Sequence, residues 1–277
     1  MTKLRKFFQY LLIILIAVPV ILYYHFFYMI RYSRHPEKYS LEKRYKVARK
    51  EISFVIGLFR LDYQFEGLEK FTESKEKSLL ISNHLSFFDP LMIIIKSEKP
   101  VTFVAKKEVF KMPFVRQVAK AIDVFPLDRE NIMSQLSEIK KIVTYLKDPN
   151  KPSVIIYIEG TRNKFPENPC LEFHAGTLKI AQMAGCPIMV AATYGGFRAL
   201  SMKSCLRKYP VYFAIDSILS VEEAKKTNTN DLAGALRKQI DAKVDLFRAD
   251  DIAYFEKSKL SKKRIELETL VDARAKA

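Results

Sequence analysis

The apolar positions of this chain follow three regimes. From Phe7 to Ile30 they run nearly unbroken as "FFQYLLIILIAVPVILYYHFFYMI", with no Asp, Glu, Lys or Arg. From about residue 62, short apolar runs alternate with longer stretches of helical period. From Val221 to Ala277 the sequence is charged with helical spacing, expected to pack partly on the main domain and then to continue as a solvated tail. In the middle region the runs predict strands at Tyr63–Glu66, Ser78–Ser82, Thr102–Ala105, Ser153–Ile158, Ile188–Thr193 and Val211–Ile215. Between them the period predicts helices at Pro90–Ile95, Glu108–Ala121, Asn131–Leu146 and Gly176–Ala184. A strand–helix alternation of this kind implies an α/β fold, a mostly parallel sheet flanked by helices. The expected divisions are 1–60, N-terminal membrane-anchoring helices; 61–220, the α/β domain; and 221–277, a C-terminal helical segment.

The first regime reads as a helical membrane anchor. At roughly 1.5 Å per residue it reaches across a bilayer core of ~30 Å. It is too long for the apolar part of a signal peptide, and no small-residue cleavage site follows it. Tyr10, Tyr23, Tyr24 and Tyr28 sit towards its ends, as interfacial aromatics do. Lys3, Arg5 and Lys6 precede it; Arg31, Arg34, Lys38, Lys43, Arg44, Lys46, Arg49 and Lys50 follow. The heavier basic flank predicts a main domain on the cytoplasmic side of the cell membrane. Pro19 interrupts the middle, so a bent, one-leaflet insertion competes with a full span. "KVARKEISFVIGLFR" (Lys46–Arg60) reads as a second, amphipathic helix able to lie on the headgroups.

Net charge of +16 asks for an anionic partner. The anchor makes that partner a lipid surface or an acidic substrate, and no nucleic acid is expected. Three cysteines without a CxxC spacing give neither a disulfide framework nor a zinc site.

In open α/β sheets ligands bind beyond the carboxyl ends of the strands. After the strand ending at Ser82 come Asn83, His84 and Asp89. After the next come Lys106 and Lys107. "VFPLDR" supplies Asp128 and Arg129, and "SVIIYI" is followed by Glu159, Gly160, Thr161 and Arg162. One base, one carboxylate beside it and several cations suit removing a hydroxyl proton while a phosphate is held. Each residue also has a plainer role open to it. Asp89-Pro90 is a good helix start, with Asp as N-cap and Pro at N1; the cations also suit surface charges, with Glu159 as a structural partner. His25, His35 and His174 carry no partner pattern.

The same residues resemble the glycerolipid acyltransferase family. "NHLSFFD" matches its NHx4D motif, "VFPLDR" its second block, "IEGTR" its third and "GCPIMV" its fourth, in the family's order. The resemblance spans about Phe65 to Gly196 and comes closest to bacterial 1-acyl-glycerol-3-phosphate acyltransferases. Ile158 and Tyr157 stand where the third block usually has Pro and Phe. The family implies transfer of an acyl chain from acyl carrier protein or coenzyme A to lysophosphatidic acid, making phosphatidic acid, with no metal and no redox cofactor. His84 and Asp89 would then form a dyad. Arg162 would hold the acceptor phosphate, with Arg129 and Lys106 supporting, and Glu159 would orient the loop or Arg162. Backbone N–H groups near Gly160 or in the 84–89 loop are candidate oxyanion donors. A dyad five residues apart cannot form on one continuous helix, where the two would point about 140° from each other. It requires His84 on a loop folded back over the helix start. Another lysophospholipid or an aminolipid as acceptor keeps the mechanism. A membrane-anchored lipid-binding protein without chemistry explains charge and anchor but not four ordered blocks.

Overall fold

The computed structural model describes residues 2–59, 61–200 and 208–257. A long apolar helix, α1 (Thr2–Tyr24), continues through a wider π-helical turn (His25–Met29) into α2 (Ile30–Arg34). Pro19 lies inside α1 without ending it. Helix α3 (Leu41–Gly57) returns beside α1, its first turn capped by Ser40, which accepts from the Lys43 N–H. The α/β core follows in the order β1 (Leu61–Glu66), α4 (Leu68–Thr72), β2 (Leu79–Ser82), α5 (Phe88–Lys96), β3 (Thr102–Lys106), α6 (Val115–Ala121), β4 (Phe125–Leu127), α7 (Ile132–Lys147), β5 (Val154–Tyr157), α8 (Gly176–Ala184), β6 (Ile188–Tyr194) and β7 (Tyr209–Leu219). Helices α9 (Val221–Lys226) and α10 (Thr229–Lys257) complete it.

The seven strands order as β1-β7-β6-β2-β5-β3-β4. Five neighbouring pairs are parallel; β6 and β7 are antiparallel, with an irregularity at Val190/Ala191. β2, β5 and β6 are buried at every position and mostly apolar because both faces of the sheet are covered. Leu79, Ile81, Val154, Ile156, Ile188 and Val190 pack with α7, α8 and α10 on one face. Leu80, Ile155, Met189 and Val211 pack with α3, α5 and α6 on the other. Each such side chain contributes about 1.5–3 kcal/mol of burial.

The structure departs from the sequence expectations in three elements. The helix expected over Glu108–Ala121 is two pieces, a 3₁₀ turn (Lys107–Lys111) and α6, because Pro113 offers no N–H and Phe114 has φ 64°. β4 was not expected: it is three residues long with a proline at its centre, which only an edge strand tolerates. The helix expected at Lys46–Arg60 starts earlier and turns its apolar face to protein rather than to headgroups. Tyr45, Ala48, Ile52 and Ile56 are buried there, the Tyr45 hydroxyl donates to Ile94 O (3.2 Å), and Arg44 pairs with Asp123 (2.7 Å). The long exposed apolar surface of a candidate membrane anchor is therefore that of α1. α10 packs on β6 and β7, whereas the tail expected after it lies outside the described residues. Cys170 and Cys186 are free and buried; Cys205 also lies outside the described residues.

Candidate active site

The carboxyl ends of β2, β5, β3 and β4 lie side by side along one edge of the sheet, all pointing the same way. Every residue singled out at a strand end therefore arrives on one side of the molecule. Asn83 closes the end of β2: its Oδ1 accepts from Thr193 N–H (2.8 Å) and its Nδ2 donates to Thr193 O (3.0 Å). This side chain mimics one more step of the β2–β6 ladder, which fixes where the next residue begins.

That residue is His84, and its backbone is held at both polar groups. Its N–H donates to Glu159 Oε1 (2.6 Å), and its carbonyl accepts from Asn163 N–H (2.7 Å). Its ring stacks on Tyr157 with centroids 4.1 Å apart and planes 19° from parallel. Nδ1 lies 2.9 Å from Asp89 Oδ2, which leaves Nε2 as the nitrogen available to a substrate.

Asp89 is not the N-cap expected of it. It sits in the first turn of α5, and its Oδ2 faces backwards, accepting from the N–H groups of Leu85 (2.8 Å) and Ser86 (2.7 Å). The carboxylate thus folds the 84–88 loop around itself, which brings the imidazole onto the same oxygen. Its other oxygen, Oδ1, is buried with no hydrogen-bond partner among the described residues. Gly196 lies against it; a Cβ there would come within 2.5 Å of Oδ1. Only glycine lets the backbone after β6 pass so close.

Glu159 is a clamp. Oε1 holds His84 N–H and Oε2 holds Leu171 N–H (2.8 Å), so one buried carboxylate ties the His84 loop to the segment leading into α8. Burial pushes its pKa up to about 7, against the two N–H groups that favour the charge. It forms no ion pair with Arg162.

The cations are distributed unevenly. Lys107 is taken by Asp128 (2.9 Å) and Glu130 (3.5 Å). Lys106, at the end of β3, is exposed, as are Thr161 and Arg162, and no described carboxylate pairs with Lys106 or Arg162. Arg129 reaches back from β4 over the neighbouring turn: its Cζ lies 3.1 Å from where a Gly160 Cβ would stand. The His174 ring covers the same point at 2.7 Å. Gly160 has φ 67°, and both that conformation and the two side chains above it exclude a larger residue. Sequence reasoning missed His174 because the chain makes a long excursion after Arg162 before the His174 N–H bonds back to Ile158 O (3.1 Å). No local pattern marks that return.

Residues 62–193 match the acyltransferase family. This segment carries the chain's likeness to an acyltransferase domain. The probable 1-acyl-sn-glycerol-3-phosphate acyltransferase of Mycoplasma genitalium is 25% identical over 227 residues, covering 76% of this chain and 80% of that protein. The 1-acyl-sn-glycerol-3-phosphate acyltransferase of Streptococcus pneumoniae is 25% identical over 202 residues, 72% of each chain. The crystal structure of the 1-acyl-sn-glycerophosphate (LPA) acyltransferase PlsC from Thermotoga maritima superposes with a TM-score of 0.65 at 21% identity, over 90% of this chain and 98% of that one. At that identity the superposition establishes the fold. The chain thus shares a mostly parallel sheet with PlsC, and its His84–Asp89 contact lies within the segment matched by the family.

Proposed function

We propose that this acyltransferase moves an acyl chain from a thioester to the sn-2 hydroxyl of 1-acyl-glycerol-3-phosphate, forming phosphatidic acid. The observation that carries the mechanism is the His84–Asp89 contact with Nε2 left open, on the strand-end edge that also presents Arg129, Lys106 and Arg162. Relatives named for this acceptor carry the choice of substrate.

The acceptor hydroxyl attacks the thioester carbonyl while His84 Nε2 takes its proton. The Nδ1–H stays on Asp89 Oδ2, which fixes the tautomer and stabilises the imidazolium as it forms. When the tetrahedral intermediate collapses, the C–S bond breaks and the imidazolium returns the proton to the departing thiolate. The substrate hydroxyl fills the place that a serine takes in hydrolases, so no side-chain nucleophile is needed. Neither a metal nor a redox group enters this scheme; the acyl thioester, on acyl carrier protein or coenzyme A, is a co-substrate. The net charge of +16 favours either anionic donor.

Arg129 is the cation best placed for the acceptor phosphate, because it lies over the turn after β5, the strand beside β2 and His84. Arg162 and Lys106, both exposed and unpaired among the described residues, supply further charge at the mouth. The basic residues that follow the apolar segment support a cytoplasmic position for this side of the molecule. An assay crossing lysophosphatidate and other lysolipids with both donors tests the reading. Lysophosphatidate is expected to be the preferred acceptor, and Arg129→Ala to raise its KM more than the donor's. Turnover of an uncharged lysolipid in preference to lysophosphatidate would overturn it.

A further inference from the structure

The N-terminal helix displays apolar side chains to solvent along its length. Phe7, Phe8, Leu12, Ile14, Leu15 and Phe27 are all more than half exposed. Where that run ends, the catalytic domain adds apolar surface of its own. Between the 3₁₀ turn and α6, Met112 is 43% and Phe114 40% exposed, and the Phe114 ring packs on His25 of the anchor with centroids 4.6 Å apart.

The backbone there is strained. Phe114 has φ 64° and ψ −49°, and Val115 N–H donates to Pro113 O (2.8 Å). This is a γ-turn of the rare kind, centred on a bulky residue. Such a conformation is costly and persists where the surroundings require it. In water the turn is unfavourable twice, through its backbone and through the aromatic ring it keeps outside. Around it stand the exposed Lys111, Arg116 and Lys120, and no acidic residue lies between Lys111 and Lys120.

We propose that the Lys111–Phe114 turn is a second membrane contact, set into the headgroup region of an anionic bilayer beside the end of α1. The inference rests on reading α1 as the membrane anchor. Two observations favour lipid as the occupant. The turn is continuous with the exposed apolar face of α1, and its apolar tip within a basic rim matches the way interfacial segments meet anionic lipid. The adjoining Lys107–Lys111 turn leads directly to Lys106, so the contact holds the mouth of the site at the bilayer surface, where a lysolipid acceptor resides.

The chain has no tryptophan, so a single substitution supplies a unique fluorophore. Met112→Trp, Phe27→Trp and Leu246→Trp, each in the full chain, are reconstituted into anionic vesicles containing lipid brominated near the headgroup end of the acyl chains. Leu246 is an exposed apolar residue of α10, across the sheet from the anchor. Met112→Trp is expected to lose a share of its fluorescence close to that of Phe27→Trp, and Leu246→Trp to be quenched only by aqueous iodide. Phe114→Trp, which keeps an aromatic ring in the turn, serves if Met112→Trp misfolds. Bromolipid quenching at Phe27 but not at the turn overturns the proposal and leaves the anchor standing; no quenching at either overturns both. Protection from iodide without bromolipid quenching would assign the surface to a second copy of the chain, against the proposal. Equal bromolipid quenching at Leu246 would also count against it.

Discussion

Asp89 and Asp251 are both sealed from solvent and both face a basic side chain, yet they are built differently. Asp251, on α10, meets Arg198 through two parallel bonds, Nη1 to Oδ1 at 2.8 Å and Nη2 to Oδ2 at 2.7 Å. The guanidinium is wholly buried between the Tyr194, Phe197 and Phe255 rings, 4.8 to 5.5 Å from their centroids. Each charge is met by the other through both bonds. Asp89 instead loads three donors onto one oxygen and leaves the other bare, and its partner is an imidazole with one nitrogen open and 17% of its side chain exposed. A closed pair joins the segment after β6 to α10. An unbalanced one can gain and release a proton.

Substitutions should separate the two. His84→Ala removes the base and should lower acyl transfer by roughly 10²- to 10⁴-fold, the range that general-base catalysis contributes. Its melting temperature should stay near that of the parent. Thermal unfolding and turnover, measured together, check this.

Asp89→Asn is more discriminating. The Leu85 and Ser86 N–H groups fix the amide with its oxygen in the Oδ2 position, so the His84 tautomer survives and only the negative charge is lost. Turnover should fall by about 10²-fold, the lower end of that range. An equal loss in Asp89→Asn and His84→Ala would mean that the amide flips and the tautomer is lost as well.

At the closed pair, Asp251→Ala leaves a guanidinium buried without its carboxylate. The expected cost is about 3–5 kcal/mol of stability. The pH profile of kcat should be unchanged, since neither partner touches the reacting atoms. Denaturant midpoints and pH–rate curves measure the two effects.

Glu159 lies between these cases, a buried carboxylate with backbone partners and no cation. Its pKa, raised from the ordinary 4.5 to about 7, makes the folded state bind more protons than the unfolded one. Its contribution to stability is therefore full below about pH 4.5 and is lost as pH rises towards 7. Glu159→Gln cannot accept from both His84 and Leu171 N–H groups and should cost about 1–3 kcal/mol at pH 5. The gap to the parent should narrow by pH 8. A gap that widened with pH would show that the carboxylate is stabilised by its clamp more than burial penalises it.

Much of this was legible in the sequence, for identifiable reasons. β2, β5 and β6 are apolar on both faces, so their runs stand out. The four blocks could be read because each strand end carries its chemistry next to it. Where tertiary contacts decided the outcome, the sequence was silent. β4 is defined only by its pairing with β3. α3 has an amphipathic pattern that suits a headgroup surface as well as the α5–α6 layer that it meets. Arg129 and Arg162 look alike as letters, and only the fold carries one of them over Gly160. His174 reaches that same point by a loop whose course no residue pattern encodes.

The smallest effect is expected at Tyr157, where the family resemblance places a phenylalanine. Its hydroxyl is buried with no hydrogen-bond partner among the described residues, and burial, with the Asp89 charge adding, pushes its pKa well above the ordinary value. The phenol is therefore neutral at every working pH, and it contributes its ring while its oxygen is a liability. Tyr157→Phe keeps the face that stacks on His84 and removes an unpaired polar atom, whose burial costs about 1–3 kcal/mol. Stability should be equal or higher and kcat nearly unchanged. Tyr157→Leu removes the stack instead. Aromatic pairs are worth about 0.5–1.5 kcal/mol beyond area, so losing this one should loosen the imidazole and lower kcat by roughly two- to tenfold at unchanged acceptor KM. If Tyr157→Phe lost as much turnover as Tyr157→Leu, the hydroxyl would have a partner in the working complex. The stack would then not be what Tyr157 contributes to His84.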